Sequence, residues 1–322
     1  MKYRKLLQTD LKVSEISLGC WTLGGLNWVE GHSAGWANVD EKEAVRTIHM
    51  AVEAGVNHFD NADVYGNGHA ERLLAKALGA KSKDVILATK IGYFRGTAVH
   101  PYDPLHIRHQ CEQSLKNLNR DVIDIYYFHN ARFGYRDQFL DDAVEEMNRL
   151  KEEGKIRVIG QSDWSADAIC RVVPKTRPQV IQSWASALDD HNLRKGSPLR
   201  KILDEQQISY VAFSPLAQGL LLGKYHAQNP PKFKEGDHRK YSEKFSVESL
   251  RKVESKLEKL KSRFGETSKE LARMALQYLL YDQQVACVIP GFRNEQQVSD
   301  ILYAVGQLLS DEDILFIRDI FQ

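Results

Sequence analysis

Short runs of apolar and β-branched residues punctuate the chain, and the segments between them carry apolar residues at helical spacing. Eight such runs stand out, at 14–21 (SEISLGCW), 56–62 (VNHFDNA), 85–91 (VILATKI), 122–130 (VIDIYYFHN), 156–162 (IRVIGQS), 180–186 (VIQSWAS), 208–214 (ISYVAFS) and 285–291 (VACVIPG). Strand-like runs alternating with amphipathic segments are the pattern of βα units feeding a parallel sheet. Helices are expected at 40–55, 70–78, 105–118, 140–153, 198–207, 247–264 and 268–281. In the first of these Asp40 can cap, Glu43 can complete a capping box and Gly55 supplies a left-handed stop. Eight strands with matching helices predict one α/β domain over residues 1–322, a single (β/α)8 TIM barrel. An open doubly wound sheet is the alternative, but SLGCWTLGG after the first strand has glycines without the GxGxxG that opens a helix.

Three connections are longer than a compact barrel needs, at 22–39, 131–138 and 224–245. Each follows a strand, so each is expected to rise from the C-terminal barrel face, where binding loops belong. The first holds Trp28 and Trp36 in a glycine-rich, aperiodic setting and the second holds Phe133 and Tyr135; Trp28, Trp36 and Phe133 are candidate walls for a substrate.

Charge and cysteine usage narrow the classes. Forty-four Lys and Arg against 43 Asp and Glu leave a net charge of +1, which gives no electrostatic reason to expect nucleic acid or an anionic membrane. The run RKVESKLEKLKSR mixes signs at helical spacing and reads as a solvated helix face. Cys20, Cys111, Cys170 and Cys287 show no CxxC spacing and nothing resembling a signal peptide precedes Leu11, so reduced thiols and a cytoplasmic location are expected. The most apolar helical stretch, around 271–280, falls short of a membrane span. His106 and His109 stand one helical turn apart without a third ligand at suitable spacing, so no metal is expected.

Polar residues mark the places where successive apolar runs stop. Asp60 ends VNHFD, Tyr65 follows it, Lys90 sits in ATKIG, His129 ends IYYFH, and Ser162 lies in VIGQSDW. A barrel face can gather such strand ends into one site. Hydride addition to a carbonyl places negative charge on its oxygen, so the site needs a proton donor and fixed dipoles there. Tyr65 suits the donor, Lys90 could lower its pKa as an adjacent cation, Asp60 could orient the lysine and His129 could direct the carbonyl oxygen. Taken singly, each residue could equally cap a turn, sit on the surface or pack in the core.

Taken together with HFDNADVYGNGHAERLLAKAL, ATKIG, DIYYFHN, KIRVIGQSDWS, FSPLAQGLLLGKY and VIPGFRNEQQV, the chain resembles the aldo-keto reductase family nearly end to end. The resemblance implies a catalytic tetrad of Asp60, Tyr65, Lys90 and His129, with Tyr65 as general acid. It further implies a nicotinamide cofactor, usually NADP(H), lying extended across the C-terminal face, and a small carbonyl or alcohol substrate. Cys20 and Trp21 would then border the cofactor, Ser162, Asp163 and Gln182 would meet the carboxamide, and Phe213 would stack on the nicotinamide. Ser214, Pro215, Leu216, Gln218, Gly219 and Lys224 would lie along the pyrophosphate, with Ile289, Gly291, Arg293 and Gln297 toward the adenosine. A monomer or weak homo-oligomer is expected, though no feature of the sequence fixes the assembly.

The chain departs from the family pattern in places. Asp163 stands where asparagine is usual, Phe213 where tyrosine is common, and Ile301 where asparagine often contacts adenine. Gly291 and Gln297 occupy positions where many members carry a lysine and an arginine, which leaves Arg293 as the cation of that segment to read a 2′-phosphate, with NAD(H) as the alternative cofactor. Two further readings come with the family: a cofactor-sensing regulatory subunit like the potassium-channel β subunits, and an enzyme that holds NAD(H) for internal redox cycling such as epimerisation.

Overall fold

A computed structural model of the chain describes residues 1–29 and 31–321. In chain order its elements are β1 (Tyr3–Lys5), β2 (Lys12–Ser14), β3 (Leu18–Gly19), β4 (Leu26–Val29), β5 (His32–Gly35), α1 (Glu41–Glu53), β6 (His58–Asp60), α2 (His69–Leu78), β7 (Ile86–Ile91), α3 (Pro104–Leu118) and β8 (Ile123–Phe128). Then come α4 (Leu140–Glu152), β9 (Ile156–Asp163), α5 (Ala166–Thr176), β10 (Val180–Trp184), α6 (Pro198–Gln206), β11 (Ser209–Phe213), α7 (Val247–Phe264), α8 (Ser268–Leu280), β12 (Val285–Ile289), α9 (Glu295–Leu302) and α10 (Asp311–Phe321).

The eight expected runs form one parallel sheet in the order β12-β11-β10-β9-β8-β7-β6-β3. Parallel bridges Ile16↔Val288 and Gly19↔Gly291 bring the first and last strands together, with Ser17 N donating to Val288 O and Val288 N to Glu15 O at 3.0 Å each. The result is the (β/α)8 barrel. The first strand is the shortest, because the chain turns into a 3₁₀ segment at Cys20–Leu23 immediately after Gly19.

Apolar residues fill two layers. One lies between strands and helices; the other is inside the barrel, where Ile86, Ala88, Ile125, Tyr127, Val158, Val180 and Val211 meet Leu6, Leu11 and Val13 of the β1–β2 hairpin. That hairpin plugs one end of the barrel, so the interior is packed rather than open. At Gly160 an added Cβ would come within 2.2 Å of the Tyr127 ring, so this strand position must lack a side chain for the tyrosine to turn inward.

Helix boundaries follow local chemistry. Asp40 Oδ1 accepts from the amides of Lys42 and Glu43, and Gly55 stops α1 at φ +89°. A reciprocal capping box is present at Thr267 and Glu270, where α8 begins. Several features were not expected, among them the β1–β2 hairpin and α10. The segment 166–176 is a helix although Pro174 lies in it; the proline forfeits the bond to the Cys170 carbonyl, and the helix ends two residues later at Thr176. The connection 22–39 is not a plain loop but holds the antiparallel hairpin β4–β5.

Candidate active site

The parallel register sets the chemistry at one end of the barrel. Asp60 ends β6, Lys90 is the penultimate residue of β7, and His129 follows β8. Lys90 Nζ donates to Asp60 Oδ2 at 2.6 Å, to the Asn61 carbonyl at 2.6 Å and to the Tyr65 hydroxyl at 3.3 Å. The lysine and aspartate side chains are 1% and 3% exposed, so the pair lies out of water. The Tyr65 ring is stacked 6.0 Å from Trp21 and meets the His129 ring edge-on at 5.8 Å, and Tyr93 stands edge-on to His129 at 4.6 Å. Asp60, Tyr65, Lys90 and His129 are thus brought together.

Electrostatics correct one expectation. Burial, reinforced by the Asp60 charge, pushes the Tyr65 phenol well above its ordinary value, whereas the sequence reading had the lysine lowering it. Burial is the larger effect: the phenol lies out of water near the Asp60 charge, and the 3.3 Å contact from Lys90, itself paired to Asp60 at 2.6 Å, does not offset it. Burial pulls the Lys90 ammonium down and Asp60 opposes it. Burial, with Lys90 and Arg132 adding their charge, holds His129 well below 6.5, so its imidazole is neutral at physiological pH. The site therefore rests with a protonated phenol and a neutral imidazole.

A cleft of about 890 Å³ opens from these residues across the barrel face. Trp21, Trp36, Tyr93, Asn130, Arg132 and Trp164 surround its tetrad end; Ser162, Asp163, Gln182 and Phe213 lie on its floor. It continues past Ser214, Pro215, Leu216, Gln218, Gly219 and Lys224 to Ile289, Gly291, Arg293, Gln297 and Ile301. After β11 the residues Ser214, Ala217, Gln218 and Gly219 all have φ between +48° and +92°, which curls the main chain into a concave nest suited to an anion. Gly219 sits at φ +92°, a conformation that strains any L side chain. Burial and nearby Arg239 lower the Lys224 ammonium. An elongated cleft with such a nest at its middle fits a dinucleotide.

The hairpin β4–β5 and the loop 224–245 roof the cleft. His238 N donates to Gly35 O at 3.2 Å, His238 lies 4.3 Å from the Trp21 ring and 4.7 Å from Trp36, and the Arg239 guanidinium sits 4.3 Å over Trp36. Arg239 is itself held by Asp237 through two nitrogens and donates to the Tyr225 hydroxyl at 3.1 Å. Arg293 Nη2 donates to the carbonyls of Ala37 and Asn38 at 2.5 and 2.7 Å, which fixes this cation at the far end.

Three site expectations need correction. Phe133 is fully buried, stacked 4.4 Å from Tyr102 and edge-on to Phe128, so it is core rather than substrate wall. Trp28 is 63% exposed and does not line the cleft, because strand alternation in β4 turns its neighbours Asn27 and Val29 to that side instead. Cys20 is fully buried beneath the cleft, where burial pushes its thiol pKa up. Asp163, in place of the usual asparagine, has a local explanation: its two oxygens accept from the amides of Ala131 and Ser165 at 2.7 and 2.8 Å. Sequence reasoning missed Tyr93, Arg132, Trp164 and Arg239. The first three lie one to four residues past strand ends already singled out and could have been found; Arg239 lies in the long connection 224–245, which was singled out but has no period to pick out a residue. Among the described residues no helix is long and apolar enough to cross a membrane.

Comparison with known proteins agrees with this geometry. Residues 15–321 match the model of the Aldo/keto reductase family. The chain is 31% identical over 319 residues to the uncharacterized oxidoreductase YqkF of Bacillus subtilis (strain 168), covering 98% of this chain and 94% of that protein. To the L-galactose dehydrogenase of Arabidopsis thaliana it is 29% identical over 317 residues, covering 96% and 90%. Among solved structures, the holo form of aldo-keto reductase AKR11C1 from Bacillus halodurans matches with a TM-score of 0.78 at 28% identity, over 100% of this chain and 97% of that one.

Proposed function

The chain belongs to the aldo/keto reductase family, and from that premise we propose that it is an NADP(H)-dependent oxidoreductase that converts an aldehyde or ketone to an alcohol, or the reverse. The observation that carries this reading is the three-way bonding of Lys90 to Asp60, the Asn61 carbonyl and the Tyr65 hydroxyl inside the barrel. A bound nicotinamide cofactor supplies the hydride. Every other role falls to this chain. Tyr65, protonated in the resting site, gives its proton to the carbonyl oxygen as charge develops there; an alkoxide is a stronger base than a phenolate, so a high phenol pKa does not block the transfer. Lys90 then stabilises the phenolate at 3.3 Å, and Asp60 keeps the lysine ionised. Neutral His129 directs the carbonyl oxygen toward Tyr65 through a hydrogen bond.

Phe213 and Trp164 offer aromatic faces for the nicotinamide, the left-handed turn at 214–219 with Lys224 suits the pyrophosphate, and Arg293 suits a 2′-phosphate. The name of the Arabidopsis relative supports a sugar-like substrate, as do the aromatic cleft walls. The second reading, a cofactor-sensing regulatory subunit, is favoured by the roof that Trp36, His238 and Arg239 build over the cleft, since a covered cofactor would exchange slowly. Turnover separates the two: a regulator reduces every carbonyl of a panel very slowly, and an enzyme reduces at least one rapidly.

Tyr65→Phe tests the proposal. It removes only the hydroxyl, so kcat should fall by roughly 10²–10⁴ while cofactor affinity stays nearly constant. Retention of more than about a tenth of wild-type turnover contradicts the assignment.

A further inference from the structure

Asp60 has two carboxylate oxygens to satisfy inside the barrel, and Lys90 satisfies only one. The other, Oδ1, accepts from Gln182 Nε2 at 2.7 Å. Gln182 lies on β10 and Asp60 on β6, four strand steps apart in either direction around the barrel, so this bond crosses the barrel interior. A carboxylate only accepts, which fixes the amide NH2 toward Asp60 and leaves the amide oxygen for another partner. Gln182 is buried and its backbone is held in register between Ser162 and Val211. It therefore offers a second, rigid anchor to a carboxylate that Lys90 holds by one oxygen alone, and so limits rotation about its last torsion.

That rotation matters for the chemistry. Moving Asp60 Oδ2 would draw Lys90 Nζ with it, and Nζ has to stay beside the Tyr65 hydroxyl. We propose that Gln182 is a positioning residue for proton transfer: by holding Asp60 Oδ1 from the opposite wall, it fixes the carboxylate that in turn aims the Lys90 ammonium at Tyr65. The inference rests on the reductase reading of this site. It also links the cleft floor, which Gln182 lines, to the tetrad through one amide.

The test uses a near-isosteric loss and a pH-dependent rescue. Gln182→Met removes the donor while keeping volume, and at saturating cofactor kcat should drop by on the order of ten- to a hundredfold, the worth of one hydrogen bond to a charged group. Gln182→Glu places a second carboxyl against Asp60. Protonated, it can donate as the amide does; ionised, it repels. The Glu variant should therefore approach wild-type kcat near pH ~5 and fall to the Met level by about pH 8, a profile that a merely structural role would not produce.

The other groups around Asp60 do not imitate this profile. Burial holds Cys20, Tyr65 and Tyr127 up, Cys287 up to about 12 and His58 down to about 4. Lys90 is common to all the variants, as is Asp63, which burial also pushes up. Gln182→Met keeping more than about half of the wild-type kcat, or a Glu profile parallel to the Met profile at every pH, overturns the proposal. If Gln182→Met does not fold, the Glu profile is read against wild type: a kcat ratio that falls between about pH 5 and pH 8 supports the proposal, and a ratio flat across that range overturns it. Failure of the reductase reading would look different: the wild-type protein would reduce no carbonyl. The Asp60 carboxyl 13C resonance then decides without turnover. A shift in the Met variant and a pH-dependent shift in the Glu variant support positioning by Gln182, and an unmoved resonance overturns it.

Discussion

Replacing Lys90 by methionine removes one charge from an ion pair whose side chains are 1% and 3% exposed. Methionine is linear and of similar length, so the cavity left behind is small and the cost is electrostatic. Asp60 keeps the single donor Gln182 at 2.7 Å and loses its 2.6 Å contact with the ammonium. Breaking a buried pair from one side costs ~3–5 kcal/mol, because the remaining charge is stranded in low dielectric. The companion variant Asp60→Asn with Lys90→Met removes both charges and keeps an amide oxygen for Gln182. Its stability should return to within ~1–2 kcal/mol of wild type, since neutral replacement of a whole buried pair is often close to cost-free. Both variants should lack carbonyl reduction, because the Tyr65 hydroxyl has lost its ammonium in each. Guanidinium denaturation followed by tryptophan fluorescence measures the midpoints, with an unchanged slope as the sign that compactness is preserved. A single variant that costs under ~1 kcal/mol, or a double variant no more stable than the single, would refute the stranded-charge reasoning.

Arg293→Ala should weaken NADPH binding by roughly ten- to a hundredfold and NADH binding little, one charge-assisted contact being worth ~1.5–3 kcal/mol; equal losses, or a wild-type preference for NADH, contradict this. Trp36→Ala, at 8% exposure and packed by Trp21, His238 and Arg239, should cost ~3–5 kcal/mol and speed cofactor release, whereas the 63% exposed Trp28→Ala should lie within ~0.5 kcal/mol of wild type; comparable midpoints for the two would be the failing result. Acid should destabilise the fold through His58, which burial pulls to about 4 against an unfolded value of about 6.5. Between those values the unfolded chain binds the proton and the folded one does not, so stability falls as pH drops, by up to ~1.4 kcal/mol per pH unit for this group. Denaturation midpoints at pH 7 and pH 5 should converge in His58→Gln, and an unchanged dependence would remove His58 from the account.

Strand ends were legible because burial on both faces of a parallel strand demands a continuous apolar run, so a charge inside or just after that run has to be explained. Asp60, Lys90 and His129 announce themselves in this way. The roof does not. Trp28, Trp36 and Phe133 are alike in the sequence: aromatic, in connections after strands, with no period to set their faces. What separates them is contact made at long range. Trp36 is claimed by His238 and Arg239 from about two hundred positions away, Phe133 by Tyr102 and Phe128, and Trp28 by the pleat of a hairpin that a glycine-rich segment did not advertise.

The electrostatic state of the site was illegible for a related reason. A lysine beside a tyrosine favours the phenolate, but burial and the Asp60 charge outweigh it here, and both depend on packing, including a separation of 2.6 Å that strand order allows but does not guarantee. The same holds one bond further out. The family resemblance gave Gln182 to the cofactor, and the register of β10 against β9 and β11 turns its amide inward to Asp60 as well. A chain of this kind, with Gln182, Asp60, Lys90 and Tyr65 each holding the next, has its members on three strands and the turn after one of them. It places the proton donor by geometry that no single segment encodes, which is why the tetrad could be read from motifs while its supporting residue could not.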